Sequence, residues 1–133
     1  MYKKILLALD GSKASMRAAD HALQLAKLAK AEIGAVDVLY TELTFEKSRE
    51  EVLDEQRRIA DKAFKEFTAK ASKAGINVKV KFLEGSPGIK IADEAAEGKY
   101  GLIVMGSKGK GALGSVAEKV VRAATCPVLV VKG

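Results

Sequence analysis

The amino-acid sequence predicts a single α/β domain: a doubly wound, Rossmann-like parallel sheet of five strands with helices on both faces. Two observations support this prediction. Short apolar runs alternate with longer segments of helical periodicity along all 133 residues. No linker, repeat or low-complexity segment interrupts the alternation, which predicts right-handed crossovers within one domain over residues 1–133.

The first two strands flank an alanine-rich helix. Lys4–Leu9 is a short, wholly apolar run closed by Asp-Gly-Ser, as expected for a strand buried on both faces. Ser12 or Ser15 is suited to cap the helix that follows, which is predicted to end at Lys30. Glu32–Leu39 is predicted as the second strand.

A long, highly charged helix is predicted from Glu46 to Ala74, with Gly75 at the position of a C-terminal cap. Its predicted apolar stripe comprises Val52, Ile59, Ala63, Phe64, Phe67 and Ala71. The next segment, "INVKVKFLEG" at residues 76–85, alternates apolar residues with lysines and Asn77. It is therefore predicted as a strand with one wet face, at or near an edge of the sheet.

The last third of the chain contains two helices and two strands. Ser86 followed by proline predicts the start of the third helix, and the apolar run 100–106 predicts the fourth strand. Ser115 and Glu118 have the spacing of a capping box, which predicts a last helix to about Ala124. Pro127–Val131 is predicted as the fifth strand.

Composition limits the location and partners of the chain. No run of about 18 apolar residues is present, so we expect no membrane span. The N-terminal apolar run is too short for a signal peptide, and the single cysteine, Cys126, excludes an internal disulfide. These features predict a cytoplasmic protein. The net charge of +6 favours anionic partners, but aromatic residues are only 5% and no basic block is present, which argues against nucleic acid.

Two strand ends carry unusual chemistry: Asp10-Gly11-Ser12 and Met105-Gly106-Ser107. In doubly wound sheets, ligands bind beyond the carboxyl ends of the strands, where the strand order reverses. If the first and fourth strands are neighbours, a site is expected between these two ends.

The stretch "MGSKGKGALGSV" at residues 105–116 partly matches two phosphate-binding motifs, but it lacks residues that each motif requires. Gly109, Gly111 and Gly114 match G-x-G-x-x-G, but the loop follows the fourth strand and no acidic residue occurs after Glu118. Gly106 and Gly111 have the spacing of a P-loop, but Ala-Leu stands where Lys and Ser/Thr are required.

A third template covers the whole chain, which resembles the universal stress protein family. The resemblance runs from "YKKILLALDGS" at 2–12, through "LIVMGSKGKG" at 102–111, to "GSVAEKVVRAATCPVLVV" at 114–131. It implies a fold of the adenine nucleotide alpha hydrolase type and, since many members do so, binding of ATP. ATP-binding members carry G-x-x-G, nine residues, then G-[S/T]. Here Gly106-Ser-Lys-Gly109 is followed by only four residues before Gly114-Ser115.

The resemblance implies a set of nucleotide-binding residues. They are Ala8, Leu9, Asp10, Val38, Met105, Gly106, Ser107, Lys108, Gly109, Gly114, Ser115 and Val116. Asp10 matches an aspartate near the adenosine or the metal, which suits a ribose contact or Mg²⁺, although an Asx turn is the alternative. Val38 matches a position whose backbone pairs with adenine.

Elementary chemistry supports part of this set and leaves alternatives open. The backbone N–H groups at the start of the last helix favour an anion. The Ser115 hydroxyl either caps its own helix or binds a phosphate. Gly106 and Gly109 either let a ligand approach bare backbone or serve a tight turn. Lys108 and Lys110 add positive charge beside the loop.

The sequence therefore predicts a stress-response sensor or regulator that binds adenine nucleotide, ATP or else AMP or ADP, with Mg²⁺ at Asp10. A homodimer through the last strand is implied by the resemblance. The alternative is a dimeric protein–protein interaction module that does not bind ATP, which the short loop favours. A slow ATPase or phosphotransferase is the third hypothesis, although no general base is evident. His21 is interpreted as a surface or packing residue, and Cys126 as a small core residue.

Overall fold

The computed structural model describes residues 2–40, 48–107 and 114–132, in which strands and helices alternate. Their bounds are β1 Lys4–Ala8, α1 Lys13–Ala29, β2 Glu32–Leu39, α2 Arg49–Lys73, β3 Val78–Glu84, α3 Pro87–Glu97, β4 Leu102–Gly106, α4 Ser115–Ala123 and β5 Val128–Val131. None of the helices in these ranges is long and apolar enough to cross a membrane. The predicted α/β fold with a five-stranded parallel sheet is confirmed.

The strand order is β3-β2-β1-β4-β5, so the direction of winding reverses beside β1. β1 and β4 are hydrogen-bonded neighbours, with Ile5 opposite Leu102 and Leu7 opposite Val104. The two strand ends singled out in the sequence therefore lie side by side. This is the position at which a doubly wound sheet leaves a crevice.

Helices cover both faces of the sheet, as predicted. On one face α1 and α2 pack on side chains such as Leu7, and Phe67 of α2 is buried there. On the other face α3 and α4 pack on Leu6, through Ile91 and Val120. Because successive residues of a strand point to opposite faces, the apolar run of β1 is buried on both sides.

The apolar stripe of α2 differs from the predicted one at its N-terminal end. Val52 is only partly buried and Ile59 is half exposed, whereas Leu53 and Ala60 are buried. Adjacent residues of a helix are rotated by about 100° from each other. The first turns of α2 therefore pack through Leu53 and Ala60, each one residue after the position predicted. The helix begins after Ser48, whose hydroxyl accepts a hydrogen bond from the Glu51 N–H at 3.2 Å.

The capping box predicted at the start of α4 is wrong. Ser115 is the first residue of the helix, and the N-cap is Gly114, with φ of +69° and no side-chain capping bond. Glu118 instead pairs with Arg122 one turn later, at 2.9 Å. The Ser115 hydroxyl is therefore not used in the predicted cap.

Both edge strands differ in exposure from the buried centre. β3 lies at an edge as predicted, but Val80 of its expected inner face is half exposed. β5 forms the other edge, with Leu129 exposed. Cys126 precedes β5 and is half-buried against the α3–α4 layer, and burial raises the pKa of its thiol. His21 is exposed on α1, in agreement with a surface role.

Gly34, in the middle of β2, makes room for an aromatic side chain. The Tyr100 hydroxyl and ring edge occupy the place where a β-carbon on residue 34 would stand. The Lys4 ammonium lies 4.6 Å from the centre of the same ring, and burial raises the pKa of the Tyr100 hydroxyl. The packing of Tyr100 against β2 therefore depends on the absence of a side chain at position 34.

Gly34→Ala is expected to lower the free energy of unfolding by about 1–3 kcal/mol, because the added methyl group overlaps the Tyr100 side chain. Urea unfolding of the two proteins measures the loss. In a Tyr100→Ala background the same substitution should cost much less, since the overlap is gone. An equal loss in both backgrounds would show that the glycine serves another purpose.

Candidate functional site

A cleft opens over the carboxyl ends of β1, β2 and β4 and reaches the first turns of α3 and α4. It contains about 550 Å³ that no protein atom occupies, a volume that includes open solvent at its mouth. Eight of the residues predicted for a nucleotide line it: Ala8, Leu9, Asp10, Val38, Met105, Gly106, Ser107 and Val116.

Two described residues of the predicted set, Gly114 and Ser115, are not among those that line the cleft. Gly114 and Ser115 lie at its border, at the start of α4. Lys108 and Gly109 fall outside the described residues, so the structure places neither of them. The two ends of the loop are nonetheless close together, because a β-carbon on Gly114 would lie 3.8 Å from the Ser107 carbonyl oxygen.

The turn between β1 and α1 is held by a small hydrogen-bond network. Asp10 Oδ1 accepts from the Ser12 N–H at 2.9 Å, and Ser12 Oγ accepts from the Ser15 N–H at 3.2 Å. The buried Ser15 hydroxyl accepts from the Asp10 N–H at 3.3 Å and donates to the Ser12 carbonyl at 3.0 Å. Ser12 is therefore the N-cap of α1, and the Asx turn fixes the Asp10 carboxylate at the cleft.

Gly11 is required by the same turn. Its φ is +89°, a backbone conformation that favours glycine. A β-carbon there would also lie 2.8 Å from Cγ2 of Ile59. Helix α2 therefore lies directly against the turn that carries Asp10.

Gly106 has a packing reason of its own. A β-carbon at this position would lie 2.7 Å from the carbonyl carbon of Ala14 and 2.7 Å from its Cβ. The bare backbone at the end of β4 thus admits the first turn of α1. This close approach accounts for the glycine without a ligand.

The start of α4 presents backbone donors to the cleft. The first hydrogen bond of the helix runs from the Glu118 N–H to the Gly114 carbonyl, at 3.0 Å. The N–H groups of Ser115, Val116 and Ala117 precede it and have no acceptor within the helix. Val116 and Ala117 line the cleft, so the positive end of the helix dipole points toward it.

Another part of the cleft wall is apolar and lies on the same face of the sheet as α4. Val38, Ile91 and Met105 are buried there, and Tyr40 and Pro87 complete the wall. A flat, weakly polar group fits such a wall, whereas an anion fits the start of α4. The cleft therefore combines two environments suited to the two ends of an amphipathic ligand.

Sequence reasoning missed seven residues that line the cleft. They are Ser15, Val36, Asp37, Tyr40, Pro87, Ile91 and Ala117. Asp37 carried a usable signal, because it is the single charge inside the apolar run of β2 and is only 4% exposed. Tyr40 carried another, since it follows β2 directly at the ligand-binding end of the sheet.

Within the part of the chain that the structure describes, no group of three or more His, Cys, Asp or Glu side chains is arranged to hold a metal ion. Asp10 is the residue predicted for a metal, and it lines the cleft. A lone carboxylate suits Mg²⁺ only where ligand phosphates and water supply the other oxygens.

Comparison with known proteins agrees with the fold. The universal stress protein family model matches residues 1–132. Universal stress protein MJ0531 of Methanocaldococcus jannaschii is 39% identical over 99% of this chain and 83% of its own length.

Two solved structures are also similar. The hypothetical protein MJ0577 superposes with a TM-score of 0.87 at 30% identity, over 100% of this chain and 97% of its own. A universal stress protein in complex with cAMP superposes with a TM-score of 0.76 at 28% identity, over 98% and 97% of the two chains. The chain belongs to the universal stress protein family.

Proposed function

We propose that the protein binds an adenine nucleotide in the cleft between β1 and β4 and acts as a stress-response sensor or regulator. One observation carries the proposal: a single cleft joins an apolar wall, the Asp10 carboxylate and the N-terminus of α4. The relative in complex with cAMP supports an adenine nucleotide as the ligand class.

The chemistry of the cleft sets the direction of the ligand. The adenine lies against the apolar wall that includes Val38 and Met105, where a flat base excludes water. The phosphates lie at the start of α4, where the backbone N–H groups and the helix dipole favour negative charge. Asp10 lines the same cleft and binds either a ribose hydroxyl or Mg²⁺.

ATP with Mg²⁺ is the form of the ligand that we propose. A carboxylate facing phosphates is repulsive unless a cation stands between them, and Mg²⁺ supplies that charge. Asp10 would hold the ion together with phosphate oxygens and water. The Ser115 hydroxyl, which forms no capping box, is available to the phosphates from the first turn of α4.

The short loop favours a second candidate function. Only four residues, 110–113, separate Gly109 from Gly114, and a shorter loop offers fewer backbone donors to a triphosphate. On this alternative the protein does not bind ATP and acts as a dimeric protein–protein interaction module.

Calorimetric titration of the purified protein with ATP, with and without Mg²⁺, decides between the two. We expect binding that Mg²⁺ strengthens. Asp10→Asn keeps an acceptor for the Ser12 N–H but removes the charge, so it should weaken Mg²⁺–ATP binding about tenfold or more. Gly114→Val should also weaken binding, because it strains the backbone at φ of +69° beside the phosphates.

Asp20→Asn is the matched control, since Asp20 is exposed on α1 and pairs only loosely with Lys70, at 3.7 Å. Its affinity for ATP should equal that of the wild type. No heat at millimolar ATP or AMP would rule out the sensor and leave the interaction module. Binding that survives both Asp10→Asn and Gly114→Val would place the nucleotide elsewhere.

We further propose a homodimer through β5. This strand is an edge of the sheet formed by the described residues, and Leu129 is 36% exposed on it. Pairing of two β5 strands would cover both the edge and this side chain.

Leu129→Asp is expected to convert the dimer to a monomer, because it would bury two carboxylates against each other. Light scattering after size-exclusion chromatography measures the mass. Val80→Asp, at the half-exposed position of the opposite edge strand, is the matched control and should leave the dimer intact. A monomeric wild type, or a dimer that only Val80→Asp disrupts, would contradict the proposal.

A further inference from the structure

Helix α2 holds the residue that follows β2 through a pair of hydrogen bonds. Gln56 Oε1 accepts from the Tyr40 N–H at 3.1 Å, and Gln56 Nε2 donates to the Tyr40 carbonyl at 2.6 Å. A single carboxamide therefore binds both backbone groups of one residue. Because both groups are held, the direction of the Tyr40 Cα–Cβ bond is fixed relative to α2.

The position of Tyr40 explains why this clamp is needed. The β2–β3 ladder ends where Leu39 pairs with Glu84, so Tyr40 is the first residue beyond the ladder. Its half-buried backbone still requires a donor and an acceptor. A glutamine side chain supplies both, which an aliphatic or acidic side chain of similar length cannot do at neutral pH.

The clamped residue is the aromatic member of the cleft wall. Among the described residues that line the cleft, Tyr40 alone is aromatic, and it lies with Val38 and Pro87. Aromatic rings add base stacking to the hydrophobic contact that aliphatic side chains offer a nucleobase. A stacking ring contributes fully only when its backbone holds it in place before the ligand arrives.

We propose that Tyr40 stacks on the base of the bound nucleotide and that Gln56 is a positioning residue that holds it there. This inference rests on the proposed binding of an adenine nucleotide. The inference adds an aromatic contact to the base, which the glycine loop does not offer. It also gives α2 a role in nucleotide affinity, although Gln56 itself does not line the cleft.

The absence of tryptophan from the sequence gives a direct probe. Tyr40→Trp places a single indole at the site and retains the capacity to stack. Titration with AMP is expected to quench its fluorescence to saturation, because the base stacks on the indole. Titration with ribose 5-phosphate, which has no base, should leave the emission almost unchanged.

Calorimetry with AMP then measures the contribution of the ring. Tyr40→Ala should weaken binding about tenfold, the typical effect of removing one stacked aromatic ring. The loss should be smaller for Tyr40→Phe, which keeps a ring.

The role of Gln56 is tested by Gln56→Leu, which keeps helix propensity but removes both hydrogen bonds. We expect AMP affinity to fall about three- to fivefold and the quenching at saturation to diminish when the change is made with Tyr40→Trp. In a Tyr40→Ala background, Gln56→Leu should have no further effect on affinity, because the ring it positions is gone. Gln24→Leu, at the other glutamine of the chain and exposed on α1, is the matched control.

The outcomes separate the inference from the function beneath it. Wild-type binding of AMP that is undiminished in Tyr40→Ala would overturn the stacking role and leave nucleotide binding intact. Equal losses from Gln56→Leu with and without the Tyr40 ring would overturn the positioning role. If neither AMP nor ATP binds the wild type, the proposed function and this inference both fall.

Discussion

The pairing of β1 with β4 is the constraint on which the rest of the structure depends. β1 lies between β2 and β4, is buried on both faces, and marks the reversal of strand order. Because the crossovers on either side of it carry helices to opposite faces, none of the helices in the described ranges covers the carboxyl ends of these strands. The position of the cleft therefore follows from the strand order, and the side chains at the strand ends determine which ligand it can bind. Asp10 follows β1 and Ser107 follows β4, so these two neighbouring strands each contribute a polar residue to the cleft.

Small residues determine how tightly the layers close around this cleft. The inner face of α1 is largely alanine, and its first turn approaches the end of β4 so closely that residue 106 has to be glycine. Close packing also leaves no room for a side chain at Gly11, which lies against Ile59 of α2. Gly106 and Gly11 are thus already required by packing between elements, whereas a β-carbon on Gly114 would make only an ordinary contact, at 3.8 Å. Packing alone would preserve Gly106 and Gly11 even if nucleotide binding were lost, so their presence is weak evidence for a ligand.

The strands, helices and strand adjacency could be predicted because they follow from patterns that repeat along many residues. The predictions fail where the local structure depends on the conformation or contacts of a single residue. S-x-x-E at the start of α4 fits a capping box, yet the left-handed φ of Gly114 moves the N-cap back by one position. Tyr40 and Asp37 belong to no nucleotide-binding motif, and the end of β2 brings them to the cleft. Their signals were a buried charge within a strand and a position directly after a strand end. A pattern read along the chain cannot show how far the neighbouring helix reaches.

Helix α2 joins these points, because it supports both strand ends that flank the wall of the cleft. Gln56 binds the backbone of Tyr40 after β2, and Ile59 packs on Gly11 after β1. The two residues are three apart and so lie on the same side of the helix, one turn from each other. Sites held by regular elements are positioned more accurately than sites held by loops alone. Any movement of α2 that loosened one of these contacts would loosen the other, so the geometry of the wall and of the Asp10 turn would change together.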